Sequence, residues 1–514
     1  MDESEGRRLR AMAALKTALR AVLDPIGLGI TAAVLMAVRL LVPVPVGMAD
    51  NNDGSRLLCP LGADAGAVHS NGFPYWRYLV ERYPFSGPGR SCDPYLTTMR
   101  LPAKLAALVH QHVLGLDGAV DLRELAVEYC VVVGFVVWGA ARVVRSLRPL
   151  PRAVFLAALF LVLAEATFAD YANSPYTETA ALWGLAVFAV AGVAALTRNR
   201  FQRAACVVAG AGAVFAVGAK VGTLTLVVPL GVFFAGRELN HGLWSGARRR
   251  TRVVPVLIVA SLVGMALGEA GVFGGGPNDR ETNVRNELTM TLMPLSGDPG
   301  AVAAGLGLPR SIGAYSGTSA WSPHPIQDDP AFDPSRVTFA RLGGYLVTHP
   351  RLAARVIASG SGPYLRMFRT GYYIGNYTQA DSSGRSLRVD HRVAVVSWIA
   401  NHFAWTGFGG IVVYWLTCLG VAFLLRRRSE KGSLCRAFAT VSLTLTACSA
   451  IQYLTAVLGE GNEVTKHLVV SLFCATLAPL WLFAAHVARH SVTDPEAGGE
   501  RDVVVARQPS AVGT

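Results

Sequence analysis

Charge is scarce in this chain. Of 514 residues only 16% are Asp, Glu, Lys or Arg, against about 25% in soluble domains, and mean hydropathy is +0.39. That shortage excludes a soluble cytoplasmic enzyme and a disordered scaffold, both of which need polar surface throughout. Cysteine is scarce too, with eight in all, which excludes a disulfide-rich secreted module. No Cys/His spacing reads as zinc, no Walker loop, G-x-S-x-G elbow or H-E-x-x-H occurs, and no internal repeat stands out. Lysine is rare, nearly all of the 47 basic residues being arginine. The formal net charge of +13 does not point to nucleic acid. Much of it sits in short loops between apolar runs, where it orients a membrane protein instead.

What the chain has in quantity is apolar runs near 20 residues, the length that crosses a hydrocarbon core. They predict an all-α polytopic membrane protein of about ten transmembrane helices, at 26–46, 125–145, 152–170, 177–197, 203–219, 221–236, 253–273, 407–425, 436–458 and 467–487. The fifth and sixth are short and read as a helical hairpin broken at Gly218 and Gly222. Arginine clusters recur in alternate loops, at Arg142–Arg152, Arg198–Arg203, Arg237–Arg252 and Arg426–Arg436, with a basic N-terminus. The positive-inside rule places these loops and both termini in the cytoplasm of a plasma-membrane protein. No cleavable signal peptide is expected. The organisation predicted is a basic N-terminus (1–25), the first span (26–46), a first extracytoplasmic loop (47–124) and spans two to seven (125–273). A second extracytoplasmic region (274–406), spans eight to ten (407–487) and a polar, disordered tail (488–514) follow. Both outer regions contain helical spacing, at 101–116 and 336–358. Only Cys59 and Cys92 lie in an outer loop, where an oxidising exterior permits a disulfide between them.

Ionisable groups at membrane depth or at a span end are costly and suggest function. Four clusters fall on the outer side. In MADNNDGSR (48–56), a helix would set Asp50, Asp53 and Arg56 on one face beside Asn51. Such a carboxylate pair can divide proton acceptance from substrate orientation, or simply cap a helix. Asp50 is expected at the wet end of its span. In DYANSPYTET (170–179), Asp170, Asn173, Tyr176 and Glu178 crowd a short turn. Lys220 is a lone cation in the fifth-to-sixth hairpin, suited to a lipid-linked phosphate or to snorkelling. In LGEGNEVTKHL (458–468), Lys466 and His467 lie near Glu460 and Glu463, with Glu463 and His467 at pairing distance along a helix.

Taken in order, GMADNNDGSRL (47–57), VDLRELAVEY (120–129), DYANSPYTE (170–178), AKVGT (219–223), LGLPRSIGAYSGTSAW (306–321), YIGNY (373–377) and GEGNEVTKHL (459–468) resemble the GT-C superfamily. These are integral-membrane glycosyltransferases that use polyprenyl-phosphate sugars. More narrowly the series is similar to bacterial WsfD-type hexosyltransferases of envelope glycan assembly. The resemblance implies a GT-C-like fold and a catalytic aspartate in the first outer loop, mapped here onto Asp50 with Asp53 second. Asn51, Arg56, Asp170, Asn173, Tyr176, Glu178, Lys220, Tyr315, Asn376, Lys466 and His467 are then substrate-binding candidates. It implies a polyprenyl-phosphate sugar as donor, a glycan or lipid-linked acceptor and inversion. No cofactor is expected, with a divalent cation left open. The family pattern has Gly and an aromatic where Asn52 and Gly54 stand here, and Pro and Gln in place of Val221 and Gly222. Two rival readings share the topology: a lipid-linked-sugar flippase and a non-catalytic membrane partner in envelope biosynthesis.

Overall fold

The computed structural model describes residues 24–50, 53–63, 81–85, 97–115, 118–197, 200–236, 253–271, 277–366, 376–378, 390 and 392–491. It is mostly helical. Five of the described helices are long and apolar enough to cross a membrane: Arg123–Ser146, Glu178–Leu196, Ala404–Arg428, Leu434–Gly459 and Val464–His490. The pair Pro149–Ala164 and Ala166–Asn173, bent by 52°, makes a sixth if counted as one span. Four more apolar helices, Pro25–Leu41, Gln202–Val217, Val221–Ala235 and Pro255–Gly264, occupy the remaining expected positions but are only 10–17 residues long. The expected count of ten therefore rests partly on segments shorter than a full crossing.

Local chemistry explains where these helices stop. The first starts at Asp24, whose carboxylate accepts from the N–H of Ile26 with Pro25 in the first turn, a capped start with a preset φ. The bend at Glu165 arises because that residue leaves the helix. Its buried carboxylate accepts the N–H groups of Val396 and Ser397 at 2.8 and 3.1 Å. Gln202–Val217 ends at Gly218 and Lys220 is extended (φ −167°, ψ 167°). The Thr223 hydroxyl accepts from the Lys220 N–H at 3.1 Å before a 3-10 turn and the next helix resume. The hairpin thus breaks where its glycines indicated.

Small residues let the spans approach. A Cβ built on Gly184 would lie 2.4 Å from the Gly212 carbonyl and 2.7 Å from the Ala216 nitrogen, the close backbone contact typical of membrane helix pairs. Gly231, by contrast, has nothing within 4 Å of its Cβ position. Gly184→Ala is expected to cost about 1–3 kcal/mol through overpacking, whereas Gly231→Ala, a better helix former, leaves stability unchanged or raises it. Thermal midpoints of the two variants in one detergent check this. Equal midpoints would mean the helices are not in contact.

The two long regions between apolar helices, 47–124 and 274–406, are not purely helical, which corrects the all-α expectation. Strand β1 (Val46–Met48) pairs antiparallel with β4 (Asn376–Thr378), and β2 (Arg82–Pro84) with β3 (Ala119–Asp121). Three-residue strands carry too little alternation to be read from sequence. The helical spacing at 336–358 is realised as two helices, Phe339–Thr348 and Pro350–Ser359, because Pro350 cannot continue the first. The first apolar helix is tied to the Asp170–Asn173 turn and to the 274–406 region by Arg39, which is buried and pairs with both Asp170 and Asp390 at 2.7 Å. Arg392 adds bonds to the carbonyls of Val42 and Val44.

Candidate functional site

The acidic motif after the first span folds differently from one continuous helix. The helix begins at Asp53 and runs Asp53–Leu58, so Asp50 precedes it and does not share its face. Asp50 accepts from the Gly54 N–H at 3.1 Å and from the Tyr83 hydroxyl at 2.9 Å. It is 0% exposed, which overturns its expected position at a wet span end. The β2 strand delivers Tyr83 onto one side of it, and Pro175 closes over Gly54. Gly54 is required there, since a Cβ on it would meet Asp50 Oδ2 at 2.5 Å.

Asp53 takes the other direction. Its Oδ2 lies 2.9 Å from Lys466 Nζ, and its side chain is 23% exposed. Lys466 is buried, pairs also with Glu463, and sits 5.3 Å from the centre of the Tyr176 ring. Tyr176 in turn donates its hydroxyl to the Ala49 carbonyl at 2.5 Å, and Tyr171 donates to the Lys466 carbonyl at 3.3 Å. Residues from the first loop, the 170–179 turn and the turn before the last span are thereby interlocked.

A second group adjoins them. Lys220 Nζ donates to Glu178 Oε1 at 2.9 Å and to His467 Nδ1 at 2.7 Å. His467 Nε2 lies 3.3 Å from Glu460 Oε2. His467 Nδ1 also lies 3.1 Å from Glu178 Oε1, and accepting from Lys220 requires the tautomer with the proton on Nε2. Lys220 is therefore not a lone cation. Buried Glu178 neutralises it, and this pairing explains its tolerance at depth better than snorkelling does. Glu463 does not pair with His467 either. It adopts φ +62° ahead of the Val464–His467 turn and turns its carboxylate to Lys466.

Other candidates are elsewhere or have structural partners. Asp170 holds Arg39 and is buried. Asn173 donates to the Val46 carbonyl at 3.1 Å, fixing β1. The Tyr315 hydroxyl donates to Asp329 at 2.9 Å within the 274–406 region. Asn376 stands opposite Met48 in the β1–β4 ladder, and its side chain, like that of Arg56 and the whole of Asn51, lies outside the described residues. Cys59 is disulfide-bonded and six other cysteines are free thiols, while Cys92 lies outside the described residues. Among the described residues no group of three or more His, Cys, Asp and Glu side chains is placed to hold a metal ion.

Two residues of this neighbourhood carried no sequence signal. Tyr83 acts through a strand pairing that periodicity cannot show. Glu287 heads the run ELTMTLM, and the turn at Gly461 packs so tightly on it that a Gly461 Cβ would lie 2.3 Å from its backbone nitrogen. The Glu287 carboxyl is buried, and among the described residues neither of its oxygens has a hydrogen-bond partner. Burial, reinforced by the nearby Glu460 charge, pushes its pKa up to about 8. Folding then binds a proton at pH values between the ordinary glutamate range and about 8, so this contribution to stability is full below about 4.5 and is lost as pH rises through 8. The slope is about 1.4 kcal/mol per pH unit across that window. Thermal midpoints from pH 6 to 9 should fall less steeply in Glu287→Gln than in the natural chain. Parallel curves would show that the carboxyl is ionised throughout.

One family model matches nearly the whole chain. No curated protein matches and no solved structure matches. The model of the YfdI N-terminal transmembrane domain matches residues 11–497, and the chain belongs to that GT-C-like membrane family.

Proposed function

We propose that the chain is a membrane glycosyltransferase that moves a hexose from a polyprenyl-phosphate sugar to an extracytoplasmic glycan or lipid-linked acceptor in envelope polysaccharide assembly, as the WsfD-type resemblance implies. The observation that carries this reading is the convergence of four segments distant in sequence. Asp53, Glu178, Lys220, Lys466 and His467 meet within two linked ion-pair groups. All lie at the end of the spans opposite the arginine-rich loops, the extracytoplasmic end under the positive-inside rule.

Asp53 is the carboxylate assigned to accept the acceptor's proton. It keeps contact with solvent, whereas both oxygens of Asp50 are engaged and enclosed. A base must reach the proton it takes. The acceptor oxygen attacks the anomeric carbon as Asp53 takes its proton. The bond from that carbon to the phosphate oxygen breaks, and the lipid phosphate leaves with the electron pair. Lys466 and Lys220 stabilise that phosphate. One displacement inverts the anomeric centre. Asp50 acts by holding the turn that aims Asp53. The acids cluster at one end of the spans rather than at mid-depth, which favours transfer over the flippase reading.

Purified protein in lipid nanodiscs, given radiolabelled polyprenyl-phosphate hexoses and membrane-extracted acceptor, tests the proposal. Label appears in an acceptor product if it holds. Label that crosses the bilayer without changing chemical form supports the flippase. Neither outcome across a panel of sugars leaves the assembly-partner reading.

A further inference from the structure

We propose that the opposite end of the membrane domain carries a binding site for an anionic diacyl phospholipid of the cytoplasmic leaflet. A cavity of about 1360 Å³ opens among the Pro25–Leu41, Arg123–Val143, Glu178–Leu196 and Gln202–Val217 helices. It exceeds the roughly 300–1,000 Å³ of pockets that hold drug-sized ligands. Its walls are mostly apolar, with Phe135, Trp138 and Val208 among them. On the Glu178–Leu196 helix it begins at Val187, about 13 Å of helix rise from Glu178 at the candidate active site. The two sites therefore lie in opposite halves of the membrane domain.

The mouth is basic. Arg142, Arg145 and Arg152 line it, and the Arg142 guanidinium lies 5.4 Å from the Trp138 ring centre and 5.5 Å from that of Phe201. None of the three makes an ion pair among the described residues. The acid at the rim, Asp24, is engaged in capping the first helix. Long apolar walls under a cluster of guanidinium groups match a ligand with acyl chains and an anionic head, and basic pockets between helices on the cytoplasmic side hold such headgroups. The rival occupant is the chain's own residues 1–23. They carry Arg7, Arg8, Arg10, Lys16 and Arg20, like charges that repel the mouth.

Native mass spectrometry of the full chain, titrated with phosphatidylglycerol or phosphatidylcholine, tests this without reference to transferase activity. Phosphatidylglycerol should bind at least about tenfold more tightly. The triple variant Arg142→Gln, Arg145→Gln, Arg152→Gln should weaken it about 100-fold, on the scale of the attraction each basic side chain exerts on an anionic surface. If that variant does not fold, Arg145→Gln alone, on an exposed side chain, should weaken it about fivefold. Val208→Trp, which fills the cavity from an exposed wall position and leaves the arginines intact, should also abolish the preference. Equal binding of the two lipids overturns the proposal. So does loss in the arginine variants with none in Val208→Trp, which would mean surface charge alone. Binding seen only after deletion of residues 2–20 would show that the N-terminus occupies the cavity, and would also overturn it.

Discussion

Asp53→Asn is expected to lower sugar transfer by about 10²–10⁴ while leaving the protein folded. The amide keeps the size of the side chain but cannot take a proton, and removing a general base costs that much. The partner variant Asp50→Asn has a different signature. It sets an amide donor against either the Gly54 N–H or the Tyr83 hydroxyl, so one buried donor loses its acceptor, at about 1–3 kcal/mol. Its first effect is a lower thermal midpoint, with transfer reduced through misplacement of Asp53. The pair of readouts separates the roles. A stable but inactive Asp50→Asn alongside an active Asp53→Asn would exchange them. Normal turnover in both would remove this cluster as the catalytic centre and leave it a helix-capping motif.

Removing Lys466 should have the largest effect on stability. It is buried, and its ammonium serves Asp53 and Glu463 at once. Lys466→Met leaves two carboxylates facing each other without a counter-charge, and breaking a buried pair from one side costs about 3–5 kcal/mol. Asp53 and Glu463 are 23% and 18% exposed, so water screens part of the loss and about 3 kcal/mol is the expected figure. A double-mutant cycle with Asp53→Asn checks the cause. If the two residues interact, the double variant is less destabilised than the sum of the single ones. Additive losses would mean that the contact contributes nothing.

The sequence alone determined the membrane class, the position of each apolar helix and the break at Gly218–Lys220, because these depend on hydropathy, helix length and local backbone preference, all local properties. It also located the four polar clusters, since charged groups are rare enough in an apolar chain to be conspicuous. It did not determine what those groups do. Asp170, Asn173 and Lys220 looked alike as polar residues near the membrane boundary, yet they become respectively the partner of Arg39, an anchor for β1 and the partner of Glu178. Asp50 and Asp53, three residues apart, separate into a buried anchor and a solvent-touching carboxylate. Those distinctions are set by Arg39, Tyr83, Glu178 and Lys466, which come from other segments of the chain. The energy of a charge depends on its counter-charge and burial, and both are fixed only when segments hundreds of residues apart are brought together.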